Sequence, residues 1–273
     1  MRLINRRPGR GLALALTVLP FAAVVIAYSV GSDIRLAENP SDKLLPSFRQ
    51  IGDAINRMAF ETDKRSGDIL LWVDTWASLV RLGIGVGISA SAGLVFGLLI
   101  GLLPMVRAAL APFVAVLSLI PPLAILPILF IVFGLDELSK VALIVIGIAP
   151  FMMRDLSQRV LSLPAEQLVK AQTLGASTWQ IATRVALPQV LPHLIQSIRL
   201  SLGPAWLFLI AAEAIAATAG LGYRIFLVRR FFAMDVIIPY VVWITLLAFI
   251  IDYVLKVISR RGFRWAHLGG ESL

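Results

Sequence analysis

The sequence contains no cysteine, so it has no disulfide framework, no thiolate nucleophile and no cysteine metal site. It has only two histidines, His193 and His267, and no H-E-x-x-H pair, which removes the common zinc-hydrolase pattern. No glycine is followed by lysine, so a G-x-x-x-x-G-K-[ST] phosphate loop is excluded and the chain does not hydrolyse ATP in that way. No G-x-S-x-G nucleophile elbow occurs. Charge is scarce as well. Only 15% of the 273 residues are charged, against about 25% in ordinary soluble domains.

What is present is apolar. Hydrophobic residues make up 59% of the chain and the mean hydropathy is +0.88, the balance of a polytopic membrane protein. A span takes roughly 20 apolar residues. Charge-free runs cover 22 residues at Gly11–Ser32, 25 at Leu82–Val106 and 28 at Ala108–Leu135. Val141–Met153, Leu200–Ala212 and Val236–Ile251 complete a set of six predicted spans, with the last extended by 253–255. No internal repeat is visible. The fold class is all-α.

Net charge is +9, and its distribution speaks to topology rather than to nucleic acid. Arg2, Arg6, Arg7 and Arg10 precede the first span, and Arg260, Arg261 and Arg264 follow the last. The positive-inside rule puts both termini in the cytoplasm, as an even number of spans requires. The first apolar run exceeds the roughly 7–15 residues of a signal peptide and no A-x-A site follows, so it reads as an uncleaved anchor. The expected organisation is a tail and first span at 1–32, an outer segment at 33–74, a core at 75–258 containing a cytoplasmic loop at 161–192, and a tail at 259–273. Within the outer segment, Phe48, Ile51, Ile55 and Met58 have amphipathic helical spacing.

Gly83, Gly87, Gly93, Gly97 and Gly101 place small residues along the second span, as close helix packing in lipid requires. Pro121, Pro122 and Pro127 break the backbone of the third. Broken backbone at membrane depth is tolerated only against protein or a water-filled cavity, so this span belongs near a pathway. Glu213 is an acid well inside the fifth span. It either serves a function or merely joins helices.

The stretch AQTLGASTWQIATRVALPQVLP, Ala171–Pro192, stands apart from this apolar background. Pro164 and Glu166 suit a first helical turn. Gly175 suits a helix-ending position, and Ser177 with Gln180 forms an S-x-x-Q capping box for a second helix. Leu187-Pro188 is expected to close that helix. The whole predicts a stiff cytoplasmic knuckle.

Gly175, nine intervening residues and Val185-Ala186-Leu187-Pro188 resemble the EAA loop of bacterial ABC-importer permeases, with Val185 in place of isoleucine. The opening Glu-Ala-Ala of that loop is here Val169-Lys170-Ala171, keeping only the last alanine. PPLAILPILFIVFGLDELSK (Pro121–Lys140) and GPAWLFLIAAEAIAATAGLG (Gly203–Gly222) look like the nitrate, sulfonate, taurine and bicarbonate branch, in which tryptophan often stands at the position of Ile125. The resemblance extends from Thr75 to Trp265. It implies the type I importer (MetI-like) permease fold in a bacterial inner membrane. It also implies a second permease copy, two ATPase subunits that bind the ATP and magnesium, and a periplasmic solute-binding protein. This chain would hold no cofactor or metal, bind no nucleic acid and catalyse nothing.

Under the resemblance, Leu168, Ala171, Leu174, Gly175, Ala176, Trp179, Leu187 and Pro188 couple the permease to the ATPase, with Leu174 and Trp179 as apolar anchors. Pro121, Pro122, Leu123, Pro127, Trp206 and Glu213 are pathway candidates. Arg224, Arg229 and Arg230 fall on the outer side, where they suit anionic solutes, lipid headgroups or the binding protein. A neutral or cationic nitrogen compound remains an alternative cargo. An ion-coupled carrier with Glu213 as relay is the rival class, although carriers usually show two related halves.

Overall fold

The computed structural model describes residues 8–40, 42–64 and 66–267. Among them there are helices and turns and no strands. The chain falls into two compact units, Met1–Ile69 with Val228–Val241, and Leu70–Leu227 with Val242–Leu273.

In the first unit, α1 (Arg10–Glu38) is apolar all round and wholly unburied along its most apolar stretch, with Phe21 72% exposed. A helix of that kind needs lipid or another protein around it. Its C-terminal end is tied down by the Tyr28 hydroxyl, which donates to the Pro46 carbonyl at 2.7 Å, and by Ser32 Oγ, which donates to the Leu45 carbonyl at 2.9 Å. The amphipathic helix expected here is α2 (Phe48–Ala59). A reciprocal capping box between Ser47 and Gln50 starts it, a signal readable as S-x-x-Q.

The second unit is built on α3 (Leu70–Leu102) and α6 (Glu137–Leu161). A Cβ added at Gly85, Gly93, Gly97 or Gly101 would lie 2.7, 2.9, 2.7 or 2.4 Å from Ile144, Met152, Leu156 or Val160. Contacts advance together along both chains, so α3 and α6 run parallel and in close register. Gly83 and Gly87, predicted to share this packing, meet nothing within 4 Å; Gly85, between them, faces the partner helix.

Parallel α3 and α6 require the chain between them to recross the layer. That is the work of α4 (Pro104–Leu117), a 3₁₀ turn at Pro122–Ile125 and α5 (Leu126–Phe133), two helical arms bent by 80°. The backbone break expected from Pro121, Pro122 and Pro127 within Ala108–Leu135 is thus found, as a bend between two helices. With this bent pair counted as one span, the described residues offer six candidate crossings.

Three further boundaries differ from expectation. α3 begins at Leu70 and carries Asp74 and Arg81 inside it, because both are buried and paired rather than exposed at a span end. α6 runs on past the predicted span end at Met153, through Arg154 and Asp155, to Leu161, where the loop was expected to begin. And Leu187-Pro188 closes nothing. After Ser177, α8 (Thr178–Gln180) passes through a π-helical stretch, Ile181–Ala186, straight into α9 (Leu187–Ala216). Pro188 lacks the N–H an α-helix would use and its ring crowds the carbonyl four residues back. The wider π turn just before it, with Leu187 N–H bonded to the Ala182 carbonyl, relieves that conflict, and the helix continues.

Helix α9 packs on α6, where a Cβ on Gly147 would lie 2.3 Å from the Phe208 ring. Leu156, Val160 and Val190 form a dry core flanked by Leu94, Leu98 and Leu194. The chain continues through α10 (Leu221–Arg229) to the last long helix, α11 (Met234–Gly262).

Candidate functional site: a stiff turn and a buried ion cluster

α7 (Ala165–Thr173) follows Pro164, which serves as its cap rather than its first residue. The Ala176 N–H donates to the Ala171 carbonyl at 3.0 Å and the Gly175 N–H to the Gln172 carbonyl at 2.9 Å. These two bonds make a Schellman motif, which needs a left-handed residue at its turn; Gly175 supplies it with φ +80°. Two residues on, the Ser177 N–H donates to Gln180 Oε1 at 2.8 Å and the Gln180 N–H to Ser177 Oγ at 3.3 Å, completing the capping box. Gln189 Nε2 donates to Gln167 Oε1 at 3.0 Å, tying α9 back to α7.

Both ends of the turn are thus fixed by hydrogen bonds. Yet it offers large apolar groups to the outside: Leu174 is 87% exposed and Trp179 76%. Leu168, Ala171, Ala176 and Leu187 are half-buried behind them, while Gly175 and Pro188 are exposed. The eight residues singled out for coupling therefore share one continuous capped segment.

The second constellation is electrostatic. Asp74, Ser78 and Arg81 lie on one face of α3 by their i, i+4, i+7 spacing. Glu213, at the far end of α9 and wholly buried, accepts from Ser78 Oγ at 2.8 Å, from Arg81 Nη1 at 2.6 Å and from the Gly222 N–H at 2.9 Å. Arg81 also donates from Nη2 to Glu137 Oε1 at 2.8 Å, and Lys140 Nζ reaches the same oxygen at 3.1 Å. Buried Asp74 accepts from Arg224 Nε at 2.8 Å and from the Gly220 N–H at 2.9 Å. Three acids and three bases balance.

This cluster holds a loop. Arg81 Nη1 donates to the Ala219 carbonyl at 2.7 Å, and the Leu221 N–H donates to Ser78 Oγ at 2.9 Å. Four consecutive residues, 219–222, so have a backbone polar group held by α3 or Glu213, as buried backbone demands. A Cβ on Gly220 (φ +137°) would fall 2.5 Å from the Glu213 carboxyl carbon, and one on Gly222 2.7 Å from the Ile210 carbonyl oxygen. Only glycine fits at either place.

The other predicted residues scatter. Pro121, Leu123 and Pro127 are exposed and Pro122 half-buried at the 80° break, whose 3₁₀ turn touches α6 and α9. Trp206 is buried in α9 with its Nε1 unpartnered. Arg224 is neutralised by Asp74 and is not an open outer charge. Arg229 and Arg230 are exposed, and the Arg230 guanidinium lies 5.0 Å from the Phe231 ring centroid. Sequence reasoning missed Asp74, Ser78, Arg81, Glu137 and Lys140, although their helical spacing ahead of an apolar run was a readable signal. It also missed Arg199, which binds Asp252 of α11 through two bonds of 2.7 and 2.9 Å. Among the described residues no group of acids and histidines is arranged to hold a metal ion.

A family profile described as binding-protein-dependent transport system inner membrane component matches residues 93–263. The taurine transport system permease protein TauC of Escherichia coli (strain K12) is 38% identical over 199 residues, 72% of each chain. A putative aliphatic sulfonates transport permease protein of Bacillus subtilis (strain 168) is 29% identical over 188 residues, 69% of this chain and 68% of that one. Among solved structures, an inward-facing MetNI methionine ABC transporter chain superposes with TM-score 0.62 at 21% identity, covering 70% of this chain and 95% of that one. A chain of a bacterial alginate ABC transporter, crystallised with an alginate pentasaccharide-bound periplasmic protein, gives 0.61 at 15% identity, covering 93% and 98%. Both share the fold.

Proposed function

The chain belongs to the family of binding-protein-dependent transport system inner membrane components and is the permease subunit of an ABC importer, and we propose that its cargo is a small anion or zwitterion of the taurine, sulfonate or bicarbonate kind. The permease is not itself an enzyme. ATP is hydrolysed by a separate subunit, and a binding protein delivers the solute. The substrate reading rests on the relatives' own cargo. Arg229 and Arg230 are exposed, and their positive charge favours an anion on the outer side; Arg224 is bound to Asp74.

Two copies of the chain pair around the pathway, with both termini in the cytoplasm, in keeping with the basic residues at each end and six crossings. The observation that carries the coupling mechanism is the stiff turn at 171–180. A lever must keep its shape while it is pushed, and this one is locked by a Schellman motif at one end and a capping box at the other. Exposed Leu174 and Trp179 are its contact points with the ATPase.

Glu213 serves here as a joint. Its bonds to Arg81, Ser78 and Gly222 make α3, α9 and the 219–222 loop move together, and Glu137 extends the tie to α6. Motion at the turn therefore reaches the far end of α9 through a continuous helix. Reconstituting the chain with its ATPase and binding protein tests the reading. Uptake of a radiolabelled sulfonate, taurine or bicarbonate should require ATP and the loaded binding protein. Uptake that follows a proton gradient and ignores ATP would sink it.

A further inference from the structure

Behind the stiff turn lies a cavity of about 400 Å³, lined chiefly by Leu94, Leu98 and Leu102 of α3 and by Trp179, Ala182 and Leu187. Its walls are almost free of polar atoms. That volume falls within the range of small-molecule sites, roughly 300–1,000 Å³. The cavity is flanked by the π-helical stretch Ile181–Ala186, a rare geometry that recurs at functional sites.

We infer that this cavity is a binding site for one acyl chain of an anionic phospholipid of the cytoplasmic leaflet. The inference rests on placing the 171–180 turn on the cytoplasmic side. The rim is apolar and open, since Val95 and Leu99 of α3 are 53% and 37% exposed, so a chain enters from the hydrocarbon without crossing a polar barrier. Two arginines adjoin residues of its lining, Arg184 next to Thr183 and Arg107 just beyond Leu103. Arg184 is exposed on the π-helical stretch, and half-buried Arg107 donates to the Ile100 carbonyl at 3.0 Å where α3 ends. An apolar slot beside arginines at the cytoplasmic edge of a span is the chemistry that holds an anionic lipid. A chain seated there would pack against the root of Trp179 and steady the joint between the turn and α9.

The absence of cysteine allows a clean test on the full chain in detergent. Bimane on Thr183→Cys reports from the cavity wall; bimane on Ile88→Cys, at a position 48% exposed on α3, reports ordinary lipid contact. The probe is phosphatidylglycerol with brominated acyl chains. Quenching at 183 should need about tenfold less lipid than at 88. Filling the cavity with Ala182→Phe, or independently with Leu98→Trp, should remove that advantage and leave quenching at 88 unchanged. Brominated phosphatidylcholine should need about tenfold more lipid than phosphatidylglycerol at 183. Equal quenching at both positions, or no effect from whichever filling variant keeps the parent melting temperature, overturns the site. A brominated fatty acid that works as well as phospholipid, or phosphatidylcholine equal to phosphatidylglycerol, overturns the anionic lipid as its occupant. Displacement of the lipid by the ATPase subunit would assign the cavity to a subunit contact and leave the permease assignment standing.

Discussion

Arg81 and Glu213 are 132 positions apart in the sequence and 2.6 Å apart in the fold, both buried. The pair fastens α3 to the end of α9, and Arg81 passes the tie on to Glu137 at the start of α6. Removing one partner of a buried pair strands the other and costs about 3–5 kcal/mol.

Arg81→Met should therefore lower the melting temperature and yield of the detergent-purified chain sharply, since it strands Glu213 and frees the Ala219 carbonyl. Glu213→Gln should cost less, because an amide still accepts from the Gly222 N–H and Arg81 keeps Glu137. A double-mutant thermal cycle measures the coupling. Strict additivity of the two changes would show that the pair carries no energy of its own.

Gly220→Ala should be nearly as damaging as Arg81→Met, although it deletes no bond. The new methyl would press on the Glu213 carboxylate at 2.5 Å. Gly203→Ala is the matched control, with nothing within 4 Å of its Cβ. Equal melting temperatures for the two variants would contradict the loop geometry.

The capping box gives a graded test of stiffness. Ser177→Ala should cost about 1 kcal/mol locally, the usual loss for an N-cap. It should raise hydrogen exchange at 178–181 and reduce uptake in part, leaving membrane insertion intact. Unchanged exchange there would mean that the box does not hold the turn.

Single cysteines at exposed Leu123, by the 80° break, and at half-buried Ala217, where α9 ends, should react with a small aqueous thiol reagent at rates that differ between nucleotide-free and nucleotide-trapped complexes. Identical rates in both states would remove these segments from the gate.

The sequence made some of these features legible and hid others for definite reasons. Gly175 and the Ser177–Gln180 box could be read because each is a local rule, satisfied within a few residues. The ion cluster could not, because its members come from α3, α6, α9 and the 219–222 loop and only folding brings them together. Asp74 and Arg81 looked like the end of a span for the same reason. Their charge is tolerated inside α3 only because Arg224 and Glu213 meet it. Pro188 looked like a stop because an α-helix cannot bond through it, and nothing local announces the π turn that lets the helix go on.

The central claim is that a locked turn transmits ATP-driven motion from the ATPase to the spans. The direct measurement is ATP-dependent uptake, with ATPase copurification, for proteoliposomes carrying Gly175→Val. Valine cannot readily hold the φ of +80° found there, while open space around the residue gives no packing reason for the chain to misfold. The account predicts a chain that inserts and melts like the parent but loses uptake, with the ATPase unseated or hydrolysing ATP without transport. Full uptake together with normal ATPase retention in that variant would contradict it.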